Sequence, residues 1–76
     1  MSKQLDLHGV KHEDARNKTI RFIEDSWNKE EELLVITGHS PIMKKIVCTV
    51  CDEYKLEYDV GGTAGYNAGY MRIYLN

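Results

Sequence analysis

Two short stretches of this sequence hold residues whose types and spacing could do chemistry. In "DLHG", Asp6 to Gly9, a carboxylate and an imidazole are separated by one residue. Alternate residues of a strand share a face, so Asp6 and His8 point together, opposite Leu5 and Leu7. An imidazole titrates near neutral pH and can give or take a proton, and a carboxylate beside it can fix its tautomer. The second stretch is "TGHS", Thr37 to Ser40. Both stretches run apolar strand, polar residue, glycine, helix. Glycine tolerates positive φ and lets another backbone come close, and two helix N-termini at one edge aim N–H groups at a shared region, which favours phosphate. Gly9, Gly38, His39 and Ser40 are the candidate phosphate cradle. Lys11, Arg16, Lys44 and Lys45 fall at or within the first turns of the two helices, as a local basic patch. The alternative reading is turn punctuation followed by solvated helix faces.

The elements that must position these residues follow from periodicity. Leu5 to Leu7 reads as a short strand ended by Gly9. From His12 to Lys29 the pattern is helical, with Ala15, Thr19, Phe22, Ile23 and Ser26 on one face, widened by Ile20 and Trp27. Glu13 and Asp14 favour the positive end of that helix, although Lys11 and His12 stand where a capping Ser, Thr or Asn is usual. "LLVIT", Leu33 to Thr37, suits a central strand covered on both faces, or on one face and by its neighbours. Ser40 then caps a second helix that has Pro41 at its first position and ends near Tyr54. Its buried face is Met43, Ile46, Val47, Val50 and Tyr54. Two alternating strands complete the chain. Leu56, Tyr58 and Val60 share a face in the first, and Met71, Ile73 and Leu75 in the second, with "GGTAGYNAG" as a long hairpin loop between them. The order β-α-β-α-β-β predicts a two-layer α/β domain over residues 1–76, with right-handed parallel crossovers and a closing antiparallel pair.

Composition restricts the function classes. Seventy-six residues carry a net charge of −2, whereas domains that bind nucleic acid mainly through phosphate contacts are usually basic. Any such binding here must use the local patch, away from the acidic run Glu30 to Glu32. No apolar run is long enough for a signal peptide or a membrane span. Two cysteines without a secretory context fit a reducing cytoplasm, the expected location. Cys48 and Cys51 form C-x-x-C in mid-helix, not at the helix N-terminus a redox pair requires. A structural zinc would need four ligands, so Cys51 is expected as a small core residue. His8, His12 and His39 near one edge could hold a metal, but are expected to be exposed or to face phosphate. Tyr66, Tyr70 and Tyr74, with Arg72, either offer stacking surfaces to single-stranded bases or serve as half-buried sheet cover.

"LDLHGVKHEDA", Leu5 to Ala15, resembles the opening motif of the Smr (small MutS-related) domain family, L-D-L-H-G followed by a helix carrying E-A. "VITG", Val35 to Gly38, lies where that family has a T-G-x-G turn, and the element order also matches. The resemblance implies a compact α/β domain similar to the C-terminal domain of translation initiation factor 3. It implies binding to DNA or RNA and, in several members, DNA nicking or endoribonuclease activity, sometimes with a divalent metal such as Mg²⁺ or Mn²⁺. Asp6, His8 and Gly9 match the first motif; Thr37 and Gly38 match half of the second. Ser40 stands in place of its second glycine, Lys11 in place of a capping Ser or Thr, and the excess of Lys and Arg is missing.

Two functions are therefore expected. In the first, an endonuclease uses His8 as general acid or base, oriented by Asp6, with phosphate bound by Gly9, Lys11, Arg16, Thr37, Gly38, His39, Ser40, Lys44 and Lys45. In the second, the domain is a non-catalytic module that binds nucleic acid, a nucleotide or a protein.

Overall fold

The computed structural model describes residues 3–29, 31–60 and 69–75; the glycine-rich stretch with Tyr66, and Glu30 of the acidic run, lie outside them. The elements are β1 (Lys3–Asp6), α1 (His12–Ser26), β2 (Glu32–Ile36), α2 (Pro41–Glu53), β3 (Glu57–Val60) and β4 (Tyr70–Tyr74). This is the predicted β-α-β-α-β-β order. The four strands form one mixed sheet in the order β1-β2-β4-β3. β1 runs parallel to β2, with Asp6 opposite Ile36. β4 lies antiparallel between β2 and β3, pairing Val35 with Met71 on one side and Tyr58 with Ile73 on the other.

The two helices pack against each other on one face of the sheet. Along β2 burial alternates: Leu33 and Val35 are inaccessible, while Leu34 and Ile36 are only half-buried. The apolar run is thus covered on one face, the second of the two arrangements expected for it. Leu33, Val35, Met71 and Ile73 from the sheet meet Ala15 and Ile23 of α1 and Met43, Val47, Val50 and Cys51 of α2 in one core, with Leu7. Burying each large aliphatic side chain contributes about 1.5–3 kcal/mol. Thr19 is accommodated in that core because its hydroxyl donates to the Ala15 carbonyl at 2.8 Å.

α1 stops at Ser26, short of the expected Lys29. Trp27 is the C-cap, its N–H donating to the Glu24 carbonyl, and Asn28 takes φ 65°. Asparagine is one of the few residues that tolerates this left-handed region. Trp27 consequently leaves the helical stripe, 42% exposed, and leans on the Tyr54 ring with centroids 6.3 Å apart. α2 ends in a Schellman motif, with the Lys55 N–H donating to the Asp52 carbonyl and the Leu56 N–H to that of Cys51. Lys55 occupies the position glycine usually takes, at φ 57°. Val60, expected on an apolar face, is 46% exposed because it ends the edge strand β3. Cys51 is inaccessible, and burial pushes its thiol up to about 12, so it is a core residue rather than a thiolate.

Candidate functional site

The parallel pairing of β1 and β2 brings both strand-to-helix turns to one edge of the sheet. The first turn is held by its own backbone. The Leu7 N–H extends the ladder to the Ile36 carbonyl at 2.7 Å, and the Val10 N–H returns to the Leu7 carbonyl at 3.0 Å. Asp6 closes this turn: its Oδ1 accepts the His8 backbone N–H at 2.9 Å. Short acidic side chains make this local bond readily. Gly9 follows at φ 82° with open space where a Cβ would be. α1 then begins without a side-chain cap, since Lys11 is extended but has no acceptor to offer.

The second turn is built differently. The N–H groups of Thr37 and Gly38 both donate to the Gly69 carbonyl at 2.9 Å, tying the turn to the start of β4. Thr37 is nearly inaccessible, and its hydroxyl donates to the Gly38 carbonyl at 2.9 Å. Ser40 caps α2 as expected, its Oγ accepting the Met43 N–H at 3.1 Å.

One contact joins the two turns. A Cβ added at Gly38 would sit 3.4 Å from Cδ2 of His8, so the imidazole lies against the glycine of the other turn. Gly38 is needed for its φ of 68° and for this close approach. His8 and His39 are both exposed, within reach of a ligand.

The expected basic residues also gather at this edge. Lys11 and Lys45 are exposed and Lys44 is half-buried. Arg16 is engaged elsewhere: its Nη2 meets Glu53 Oε1 at 2.6 Å, tying α1 to α2. That bond raises the guanidinium and holds the Glu53 carboxyl below its usual range. The stabilisation it gives is present above the ordinary carboxylate range and is lost as pH falls through the lowered Glu53 value. Arg16, His12, Lys45, Ile42 and Ile46 line a shallow groove between the helices beside the two turns.

Among the described residues no group of three or more His, Cys, Asp or Glu side chains is placed to hold an ion. Asp6 is the sole carboxylate within the two turns, and its Oδ1 already serves the His8 N–H.

A family model for the Smr domain matches residues 5–75, nearly the whole chain. The chain belongs to the Smr domain family. No curated protein and no solved structure matches it. The Smr family is associated with nucleic-acid binding and nuclease activity, and this Smr domain carries the family's first motif on a turn whose histidine rests against the second. Among the described residues no helix is long and apolar enough to cross a membrane.

Three participants were not evident in the sequence reading. The bond from the His8 N–H to Asp6 had a signal, since an Asp two residues before a Gly-flanked turn commonly caps it. Gly69 had none, because its place beside Thr37 depends on β4 inserting next to β2. Nor did Glu53, thirty-seven residues from the arginine it holds.

Proposed function

We propose that this Smr domain binds nucleic acid at the edge formed by its two strand-to-helix turns and cleaves a phosphodiester bond there. The observation that supports the reading is the His8 imidazole lying against Gly38, the histidine of one strand-to-helix turn on the glycine of the other; an imidazole can transfer a proton, and the helix N-termini that follow both turns favour phosphate. In hydrolysis a water oxygen forms the new bond to phosphorus as the bond to one sugar oxygen breaks. His8 takes the proton from the water or gives one to the leaving oxygen. Lys11, Lys44 and Lys45 offset phosphate charge, and Arg16 joins them when phosphate displaces Glu53. Asp6 holds the turn that carries His8.

The test is cleavage of labelled single-stranded RNA, duplex RNA and supercoiled DNA, with and without Mg²⁺ or Mn²⁺, by wild type and His8→Ala. The expected loss in the variant is about 10²–10⁴-fold, the contribution of one acid–base group, with an unchanged melting temperature. Equal rates would remove His8 from the mechanism.

A second reading, a binding module without turnover, is favoured by two features of the second turn. Its Thr37 and Gly38 amides are committed to the Gly69 carbonyl, and Ser40 replaces the family's second glycine. Binding that weakens linearly in log–log with salt, with no cleavage under any metal condition, would establish it.

A further inference from the structure

The face of the sheet away from the helices carries its own pattern. Register places Asp6, Ile36 and Tyr70 in one row across β1, β2 and β4. The next row is Gln4, Leu34, Arg72 and Asp59, and the third is Glu32, Tyr74 and Glu57. Leu34, Ile36 and Tyr70 are half-buried and line a shallow depression with Gly69 and Arg72. The Arg72 guanidinium carbon lies 5.8 Å from the centroid of the Tyr70 ring. The Tyr74 hydroxyl is held in place, donating to Asp59 Oδ2 at 2.8 Å. The centre of this face is therefore apolar and aromatic around a single cation, Arg72, and its rim is acidic. It runs directly into the candidate site, because Asp6 belongs to the first row and Gly69 accepts from Thr37 and Gly38.

We infer that this open face is a stacking platform for unpaired nucleobases, with Tyr70 and Arg72 over Leu34 and Ile36 receiving the bases next to a phosphate held at the two turns. This rests on the nucleic-acid reading above and narrows its substrate to a single strand. Charge decides the occupant. Asp6, Glu32, Glu57 and Asp59 face outward on this surface and would repel a sugar–phosphate backbone laid across it. The backbone must then follow the basic edge at Lys11, Lys44 and Lys45, with its bases turned onto the sheet. An unpaired base has a free π-face for Tyr70 and Arg72, and exocyclic amino groups that can donate to the rim carboxylates. A duplex turns its phosphates outward and would present them to that rim. A second copy of this chain would set acidic rim against acidic rim.

The test measures binding, at low salt, of a short single-stranded DNA of mixed sequence, a strand of equal length made of abasic sites, and the duplex of the first. Wild type is expected to bind the single strand more tightly than either of the others. Tyr70→Ala is expected to weaken single-strand binding by roughly 5- to 150-fold, toward the abasic value, and to leave abasic binding unchanged. Arg72→Ala, at an exposed position, should show a smaller loss of the same kind. Equal binding of single and abasic strands by wild type, needing no variant, overturns the platform while leaving phosphate binding at the turns intact. So does duplex binding as tight as single-strand binding, or a Tyr70→Ala protein of unchanged melting temperature that binds like wild type. A concentration-dependent dimer abolished by Tyr70→Ala would give the face to a second copy and also overturn the inference. Absence of binding to all three strands and to a single-stranded RNA of the same sequence removes the nucleic-acid reading itself, and the platform with it.

Discussion

The two strand-to-helix turns share a pattern in sequence and differ in how they are held. The first, Asp6 to Gly9, is closed by its own aspartate and leads into a helix with no side-chain cap. The second, Thr37 to Ser40, is tied to another strand through Gly69 and leads into a helix capped by serine. Their glycines differ too. Both take positive φ, but Gly9 faces open space and Gly38 faces the imidazole of the other turn. The first turn thus presents the histidine, and the second supplies a fixed surface for it to rest on. The proposed proton-transfer role of His8 needs that division, since a displacement of about 1 Å can cost about 10²-fold in rate.

Asparagine at each glycine sharpens the contrast most. Asn tolerates left-handed φ better than other residues with a side chain, so the backbone cost is similar at both positions. At position 9 its Cβ meets no protein atom within 4 Å, so Gly9→Asn leaves the His8 ring seated and should lower the rate less than the substitution at position 38. At position 38 it must push against the His8 ring, and Gly38→Asn should lower the rate by about 10²-fold. Equal rates in the two variants, measured beside their melting temperatures, would break the claim that Gly38 positions His8.

The caps give a smaller effect of opposite sign in the two turns. Ser40→Ala removes the acceptor for the Met43 N–H and should destabilise by about 1 kcal/mol in denaturant unfolding. Lys11 already has the extended backbone of a cap, so Lys11→Ser should stabilise by about 0.5–1 kcal/mol. It also removes a positive charge from the proposed phosphate edge, and should make any nucleic-acid binding there less dependent on salt, lowering the slope by about one. A Lys11→Ser protein no more stable than wild type would show that the uncapped start of α1 is not a weakness of the fold.

The difference between the turns also explains how much was legible in the sequence. Most of what local spacing sets could be read: the element order, the Ser40-Pro41 start of α2, the alternation of Met71 and Ile73, and Cys51 as core. Asp6, His8, Gly9, Thr37 and Gly38 stood out as a candidate site because strand-end glycines and histidines contrast with the apolar runs, and as motif positions through their resemblance to the Smr family. What could not be read depends on tertiary pairing. β4 inserts between β2 and β3, and that alone brings Gly69 to Thr37 and makes one open face of Leu34, Ile36, Tyr70 and Arg72. The capture of Arg16 by Glu53 likewise follows from how the helices cross, not from any spacing. The early end of α1 at Ser26, before the left-handed Asn28, is a local effect, but helical periodicity in Trp27 masked it.

The central claim is that the two turns form one binding site. It is tested most directly by titrating isotopically labelled protein with a short single-stranded oligonucleotide and following the backbone amides of His8, Gly9, Gly38 and His39 by NMR. The account predicts that resonances from both turns shift together along one binding curve, and that the curve moves to higher ligand concentration as salt is raised. Shifts confined to one turn, or centred on the acidic far end around Glu24 and Asp52, would contradict it.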